Sequence, residues 1–364
     1  MVLLLRSVAA AQARFQPGLG SKPTTVLRHV PCKYLCLSSS PKQPSDGIQR
    51  KRIGVVGSGA VGLYYGSRLL EAGHEVSFLC RSDAAVLKEK GLIVSSVLGN
   101  MLFPAHSLTI HTRSQDIGEV DWVIVALKSY SLTQAESLLK PLVRPNTRIL
   151  AIMNGLGIEE VLASIFPSNP VFGGMAFVCI NRVAPGFVDH SAYGKLQVGH
   201  FGDDPKLLAE ALSLFQCSKV ETVLCNSYLA ARWEKLCWNL PFNGMAVAMG
   251  GVTTDVIVND ADLRAHANDA MREVVAIANA DLREHGVLDF LDEKAVMERM
   301  FGLTDNMGPY WTSTAIDLRE NRQLELDYLF SAPLQRATDL HVPCPALTSI
   351  IRFIRGQARK RDRK

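Results

Sequence analysis

Three glycines near the start of the chain have the spacing of a phosphate-binding turn. The pattern is G-x-G-x-x-G, and its six residues are Gly57, Ser58, Gly59, Ala60, Val61 and Gly62. In such a turn the first glycine lets a strand turn sharply, the second lets the backbone approach a pyrophosphate, and the third lets the next helix pack closely. The start of that helix offers unpaired N–H groups and partial positive charge. We therefore expect these residues to bind a dinucleotide, although the bare pattern also occurs in ordinary tight turns.

A second set of polar residues lies far along the chain. Lys235, Asn239 and Asn243 stand four residues apart, so a helix would carry them on one slowly drifting stripe. The residues between them are mostly apolar or aromatic, and polar groups in such surroundings are costly unless they face a partner or a polar pocket. A solvated stripe is the alternative, above all for Lys235 alone. The aromatic neighbours favour a face that is at least partly enclosed.

The elements around the glycine turn fit one βαβ unit. Residues 53–56 form a short apolar run before the turn, small and apolar residues recur at helical spacing after it, and Gly73 has the position of a helix C′ residue. A second strand follows over residues 74–80. A strand before the turn and a helix after it are the context that supports a dinucleotide-binding function.

Further strands predict a parallel sheet. Residues 120–127 form an apolar run that ends at Lys128, and residues 148–153 form another that ends at Asn154. Such runs are typical of parallel strands covered on both faces. Ligands bind beyond the carboxyl ends of these strands, where Gly57, Arg81, Lys128 and Asn154 would gather. Arg81 follows the second strand, where a cation favours NADPH over NADH, although Asp83 comes two residues later.

The pattern changes twice in the second half of the chain. Residues 171–223 predict short antiparallel strands that extend the sheet, and long helices follow from residue 226, including one over residues 324–340 with a break at Pro333. The predicted fold class is therefore α/β, with an N-terminal Rossmann-type doubly wound sheet followed by an all-α C-terminal domain. The expected divisions are a leader over residues 1–50, a cofactor domain over 51–224, a helical substrate domain over 225–357 and a basic tail over 358–364.

Composition limits the classes of function. The chain has 364 residues, 48% of them hydrophobic, and a net charge of +4. Residues 1–52 carry +8 and the tail +4, so the region between them carries −8, which gives nucleic-acid binding little support. No stretch approaches the roughly 20 apolar residues of a membrane span. The eight cysteines include no C-x-x-C pair and no histidine partner at metal spacing, so we expect reduced thiols and no metal site.

The leader has the composition of an organellar transit peptide. It is rich in alanine, serine, leucine and basic residues, and its first acidic residue is Asp46. We expect a mitochondrial address, with a plastid or the cytoplasm as alternatives. A secretory signal and an extension without a targeting role are competing interpretations.

The sequence resembles the ketopantoate reductase family from residue 52 to residue 355. The resemblance rests on the glycine turn, Leu127-Lys128, Asn154-Gly155, residues 232–236 with Asn239 and Asn243, Ser313 with Asp317, and residues 324–328. It implies a Rossmann domain that binds NADPH and a helical domain that closes over it. The implied reaction is reduction of ketopantoate to pantoate by a monomer or a homodimer.

The resemblance also assigns roles to single residues. It implies that Lys235 is the general acid at the substrate carbonyl and that Glu325 is the partner of the substrate hydroxyl. Substrate-binding roles fall on Asn239, Asn243 and Ser313, and cofactor-binding roles on Arg81, Lys128 and Asn154. The physical case agrees for the lysine, because hydride delivery to a ketone develops alkoxide charge that a positioned ammonium stabilises and protonates.

The substrate half departs from the family pattern. Pro241 sits between the two asparagines, where we expect it to kink the helix, and no further asparagine follows Asn243 until Asn259. The usual Asn-Gly after the Glu-x-Asp segment is here Phe330-Ser331. These changes keep two alternatives open. One is an NADP-dependent reductase or dehydrogenase of another 2-oxo or hydroxy acid, and the other is a non-catalytic NADPH-binding sensor or scaffold.

Overall fold

The computed structural model describes residues 49–362. Within this range a ten-stranded sheet is followed by a set of helices. The predicted leader lies outside the described residues except for its last two. No helix within the described range is both long enough and apolar enough to span a bilayer.

All ten strands belong to one sheet. They are β1 Arg52–Val56, β2 Glu75–Leu79, β3 Leu92–Ser96, β4 Met101–Phe103, β5 Thr109–His111, β6 Trp122–Val125, β7 Arg148–Ala151, β8 Val171–Ala184, β9 Phe187–His200 and β10 Thr222–Leu224. The spatial order is β4-β3-β9-β8-β7-β6-β1-β2-β5, with β10 beside β9. From β5 to β8 every neighbouring pair is parallel. This is the strand order of a dinucleotide-binding doubly wound sheet, as predicted.

The segment after β7 differs in detail from the prediction. β8 and β9 pair antiparallel, as expected, but they are long rather than short, with 14 residues each, and β10 pairs parallel with β9. The register between them shifts at three places, so irregularities let a long hairpin bend while its pairing continues. Turn residues such as Pro185-Gly186 had suggested short strands, and in the structure they form the turn of this hairpin.

Helices cover both faces of the sheet. They are α1 Ala60–Glu71, α2 Ala84–Lys90, α3 Ala135–Leu139, α4 Ile158–Ile165 and α5 Pro205–Phe215, with single 3₁₀ turns at Ala105–Ser107, Ser114–Asp116 and Ser129–Gln134. One apolar core includes Leu63 of α1 and Phe78 of β2, and a second includes Val123 of β6 and Leu162 of α4. Because helices bury both faces of the sheet, the central strands are nearly continuous apolar runs in the sequence.

The remaining chain is helical. Its helices are α6 Tyr228–Trp238, α7 Gly244–Ala248, α8 Thr254–Asn259, α9 Ala261–Glu284, α10 Glu293–Asp305, α11 Ser313–Arg319, α12 Ala332–Asp339 and α13 Pro345–Asp362, and two π-helical segments lie at Asn239–Asn243 and Asp327–Ser331. Side-chain caps begin several of them, as where Ser227 accepts from the Ala230 amide at the start of α6. Trp233, Phe242 and Met271 lie in the shared core of this domain.

Two helix predictions need correction. The helix expected from Leu324 begins at Asp327, and its irregularity is the π segment before Pro333, which lies in the first turn of α12. Residues 358–362 of the basic tail are not a separate segment, because α13 continues to Asp362, although Arg359 and Lys360 are exposed as expected. Ala358 still lies on the buried face of that helix, and basic residues in a last turn interact favourably with the helix dipole.

Candidate active site

The glycine turn has the geometry that a bound pyrophosphate requires. Gly57 has φ +102°, and a side chain there would meet the Ala126 carbonyl oxygen of the strand end beside it. A side chain at Gly62 would overlap the carbonyl oxygen of Gly57. Gly59, the N-cap of α1, has open space where a side chain would be and no side-chain cap. The turn therefore leaves the start of α1 free for phosphate oxygens, so these residues fit a dinucleotide.

The three other predicted cofactor residues lie at the same edge of the sheet. Arg81 follows β2 and is exposed, and within residues 49–362 it has no ion-pair partner. Ser58 of the glycine turn donates to the Leu79 carbonyl at 2.8 Å and so ties the turn to the end of β2. Asn154 follows β7 and is half-buried. Lys128 follows β6, but its ammonium is bonded to the helical domain.

Lys128 crosses the cleft between the two domains. Its Nζ lies 2.6 Å from Asp317 Oδ2 and 3.0 Å from Glu325 Oε2. The Ser129 amide donates to Glu325 Oε1 at 2.8 Å, so both oxygens of that carboxylate are engaged. Burial lowers the pKa of Lys128, but the charges of Glu325 and Asp317 outweigh it and hold the pKa above its ordinary value. The residue predicted for the cofactor and the residue predicted for the substrate hydroxyl thus contact each other.

Lys235 lies in an apolar pocket on α6. It is 8% exposed, and its ammonium lies 4.2 Å from the centre of the Phe177 ring. The Ala176 carbonyl accepts a hydrogen bond from Nζ at 2.6 Å. Burial, together with a smaller effect of the nearby Arg232 charge, lowers the pKa of Lys235 to about 8. An ammonium with this pKa is mostly protonated at pH 7 and gives up its proton more readily than an ordinary lysine.

The two asparagines and the start of α11 come together beside the first π segment. Asn243 Nδ2 donates to Asn239 Oδ1 at 3.1 Å, and Asn243 Oδ1 accepts from the Thr314 amide at 3.4 Å. Ser313, the first residue of α11, directly precedes Thr314. Asn239 Nδ2 is buried and has no partner within the described range. An unpaired buried donor is costly, so an acceptor on a ligand would stabilise it.

Pro241 lies in the middle of that π segment. It lacks a backbone donor, and the expected disturbance of the helix takes the form of five π-helical residues between α6 and α7. The stripe of Lys235, Asn239 and Asn243 is therefore not a regular α-helical one. All three residues are buried, so it is not a solvated stripe either.

A buried ion pair that the sequence did not indicate connects the two domains. Arg232 of α6 bonds Glu159 of α4 and also donates to the Met153 carbonyl at 2.7 Å, one residue before Asn154. Both side chains are at most 1% exposed. Gly173 of β8 leaves the space they fill, because a side chain there would lie 2.7 Å from Glu159 Oε1. This pair fixes the helix that carries Lys235 to the loop that carries Asn154.

Asp317 is the second residue that was not assigned a role. It is 1% exposed and accepts from Lys128 on one oxygen and from Arg322 Nε on the other, at 2.9 Å. Lys235 and Glu325, the two predicted catalytic residues, lie in the helical domain without a direct bond to each other. A substrate between them would be held by separate groups.

The fold and this cleft define a dinucleotide-dependent oxidoreductase with a Rossmann-type domain and a helical domain. Comparison with known proteins gives the particular family. The model described as "Ketopantoate reductase PanE/ApbA" matches residues 53–203, and the model described as "Ketopantoate reductase PanE/ApbA C terminal" matches residues 227–358. The chain belongs to the ketopantoate reductase family, and it is an oxidoreductase that acts on CH–OH and C=O groups.

Individual relatives agree with this assignment. The 2-dehydropantoate 2-reductase of Nostoc sp. is 30% identical over 321 residues, which are 86% of this chain and 98% of the relative. The crystal structure of 2-dehydropantoate 2-reductase from Geobacter metallireducens is 35% identical, with a TM-score of 0.79 over 84% of this chain and 99% of that one. D-mandelate dehydrogenase with NADH and anilino(oxo)acetate has a TM-score of 0.76 at 19% identity, covering 85% and 99%. That last likeness shows the shared fold.

Proposed function

We propose that this protein uses NADPH to reduce a small 2-oxo acid, and that the acid is ketopantoate, which becomes pantoate in pantothenate biosynthesis. The observation that carries the proposal is a buried Lys235 ammonium on the same helical run as the unpaired amide donor of Asn239. The Lys235 ammonium can donate to the carbonyl oxygen of the substrate, and Asn239 Nδ2 can donate to another acceptor oxygen of the acid. The names of the Nostoc and Geobacter relatives support the choice of substrate.

Lys235 acts as the general acid in this proposal. The nicotinamide, when bound, supplies a hydride to the carbonyl carbon. Negative charge then develops on the carbonyl oxygen, where the Lys235 ammonium stabilises it and donates a proton. The aromatic ring of Phe177 at 4.2 Å keeps water from the ammonium, which strengthens its interaction with that charge.

The remaining groups hold the substrate. Asn239 Nδ2 donates to an acceptor oxygen, and Asn243 and Ser313 lie beside it at the start of α11. Glu325 already accepts from Lys128 and Ser129, but a carboxylate has about four acceptor positions, so it can also accept from a substrate hydroxyl. Lys128 and the Ser129 amide orient that carboxylate, and Asp317 holds the Lys128 ammonium in place.

NADPH is the proposed cofactor because Arg81, just after β2, is an exposed cation without an ion-pair partner among residues 49–362. A cation there attracts the 2′-phosphate that distinguishes NADPH from NADH. The glycine turn and Asn154 complete the proposed cofactor site at the carboxyl edge of the sheet.

A second substrate remains a candidate because the pocket around Lys235 is aromatic. Phe177 and Trp238 lie 4.2 and 6.0 Å from its ammonium, and the chain lacks the family's further asparagine. A 2-oxo acid with a bulky apolar substituent would fit such walls. D-mandelate dehydrogenase, which shares the fold, was solved with anilino(oxo)acetate, an oxoacetate that carries a phenylamino group.

NADPH oxidation measured across a panel of 2-oxo acids tests these proposals. Ketopantoate should give the highest kcat/KM, and a higher value with an aryl-substituted 2-oxo acid would select the second candidate. The same assay with NADH tests the cofactor. No turnover with any acid, together with tight NADPH binding, would favour a non-catalytic role for this family member.

We also propose that residues 1–50 are a mitochondrial targeting segment that the fold does not need. The first strand, β1, begins at Arg52 and pairs with β2 and β6 within the described range. A chain starting at Arg50 should therefore fold and bind cofactor. A fusion of residues 1–50 to a fluorescent reporter should reach mitochondria; a plastid, cytosolic or secreted reporter would contradict the address.

A further inference from the structure

The carboxylate that follows β2 is held by an arginine from another strand. Asp83 lies four residues beyond the end of β2, near the place where NAD-binding folds carry an acid that bonds the ribose 2′-OH. Arg182 Nη1 donates to Asp83 Oδ1 at 2.6 Å, and Ser82 Oγ donates to the same oxygen at 2.9 Å. The other oxygen of Asp83 is buried and has no donor within residues 49–362. Arg182 and Ser82 are therefore the groups that hold this carboxylate.

Arg182 changes the charge of the segment after β2. It belongs to β8, three residues before the turn at Pro185-Gly186, and its side chain is 31% exposed. With Arg182 in place, two cations, Arg81 and Arg182, accompany the single anion Asp83. Without it, one cation and one unpaired anion would remain.

We propose that Arg182 determines the cofactor preference by neutralising Asp83, an inference that rests on the proposed use of NADPH. The charge of the paired carboxylate is compensated and its other oxygen is buried, so it neither repels a 2′-phosphate nor is open to a ribose hydroxyl. Release of Asp83 would do both, because a like charge near the phosphate is a repulsive element and a free acid is the ribose acceptor of NAD-binding folds. The preference for NADPH over NADH thus depends on Arg182, which lies about 100 positions along the chain from the Asp83 that it neutralises.

A purely structural role makes a different prediction. If the pair only fastens the β8–β9 hairpin to the turn after β2, loss of either partner should be equally harmful. If the pair acts through charge, loss of Asp83 alone should be harmless to phosphate binding, because Arg182 then remains without an anion to neutralise. The Asp83→Asn variant separates the two roles.

Isothermal titration of the full chain with two nucleotides provides the test. Adenosine 2′,5′-bisphosphate carries the 2′-phosphate, and 5′-AMP lacks it, so neither substrate nor turnover is needed. Arg182→Gln should raise the Kd of the bisphosphate about tenfold, because a cation is lost and a like charge is released. The Kd of 5′-AMP should change by less than about twofold. Asp83→Asn should bind the bisphosphate at least as tightly as the unmodified protein. The Arg182→Gln/Asp83→Asn double variant should recover most of the affinity for the bisphosphate that Arg182→Gln loses.

The outcomes separate this inference from the proposed function. Equal weakening by Asp83→Asn and Arg182→Gln, for both nucleotides, would show a tether and overturn the inference. Tighter binding of 5′-AMP than of the bisphosphate by the unmodified protein would instead overturn NADPH use. Thermal unfolding monitors the fold, and if Arg182→Gln is unfolded, Asp83→Asn alone decides, because the two roles predict opposite changes for it.

Discussion

Replacing Arg232 with methionine would remove a buried cation that bonds both Glu159 and the Met153 carbonyl. The pair joins α6, which carries Lys235, to the loop before α4, which carries Asn154. Arg232 Nε and Glu159 Oε2 already lack partners within the described range, so no neighbouring group is ready to compensate for a loss. The substitution therefore affects stability and the alignment of the cleft together.

The expected cost follows from burial. Removing one partner of a buried ion pair costs about 3–5 kcal/mol of unfolding free energy. Burial raises the pKa of Glu159, so after loss of Arg232 this carboxyl can take up a proton and become neutral. An arginine cannot lose its proton, so Glu159→Leu leaves an obligatory buried charge. We expect the unfolding free energy to fall by about 3 kcal/mol in Arg232→Met and by about 5 kcal/mol in Glu159→Leu.

The same reasoning fixes the pH dependence of the Arg232→Met variant. In that variant the folded state holds the Glu159 proton at a pH where the unfolded state has lost it. Stability is therefore fully present below the unfolded pKa of the carboxyl and falls as the pH rises toward the higher folded value. The Arg232→Met/Glu159→Leu double variant has no charge to bury, so its unfolding free energy should return to within about 2 kcal/mol of the original protein.

Urea unfolding at two pH values, together with steady-state kinetics, measures these effects. Arg272→Met is a matched control, because Arg272 is exposed and its ion pairs should contribute less than about 1 kcal/mol. The double variant should recover stability but not full kcat, since a misplacement of about 1 Å can cost about 10²-fold in rate. A loss in Arg232→Met no larger than in the control, or a double variant with normal kcat, would refute the alignment role.

Other substitutions test the remaining roles. Lys235→Ala should lower kcat by about 10²–10⁴-fold with NADPH binding preserved, and near-normal turnover would remove the residue from the chemistry. In the original protein kcat should fall as the pH rises above about 8, because Lys235 donates a proton and its pKa is about 8. Glu325→Ala should reduce both kcat and substrate affinity in steady-state kinetics, and a change in only one would contradict the anchoring role. Arg81→Ala should raise KM for NADPH much more than KM for NADH; equal effects would exclude a 2′-phosphate contact.

Local patterns were sufficient to predict the central strands and the glycine turn, whereas β3, β4 and β5 were not predicted. β1, β6 and β7 are mostly apolar runs of four or five residues, and the spacing of Gly57 and Gly62 is a property of one βαβ unit. The helical second half was equally clear from its periodicity. Leu324 was placed in a helix because the same periodicity continues through it. In the structure Glu325 bonds Ser129 and Lys128 across the cleft, and these contacts accompany an irregular segment before Asp327.

Groups that act across the domain boundary could not be read from the sequence. Arg232 and Glu159 are 73 residues apart, and Lys128 and Asp317 are 189 apart. Each is an ordinary charged residue within its own segment. Such a pair affects stability and the alignment of the cleft strongly only when it is buried. Burial depends on how the two domains pack. The sequence contains only weak signals for the Arg232–Glu159 pair. Arg232 lies three residues before Lys235, and Glu159 lies five residues after Asn154.

The asparagine pair shows what the structure adds to residues that the sequence did identify. The Thr314 amide can only donate, so the atom of Asn243 facing it is the acceptor Oδ1. Asn243 Nδ2 must then donate to Asn239, which makes the contacted atom of Asn239 its Oδ1. The atom of Asn239 left without a partner is the donor Nδ2. The pair therefore selects an acceptor on the substrate, such as a carboxylate or carbonyl oxygen, and this selection depends on the π segment around Pro241 that brings Asn243 beside α11.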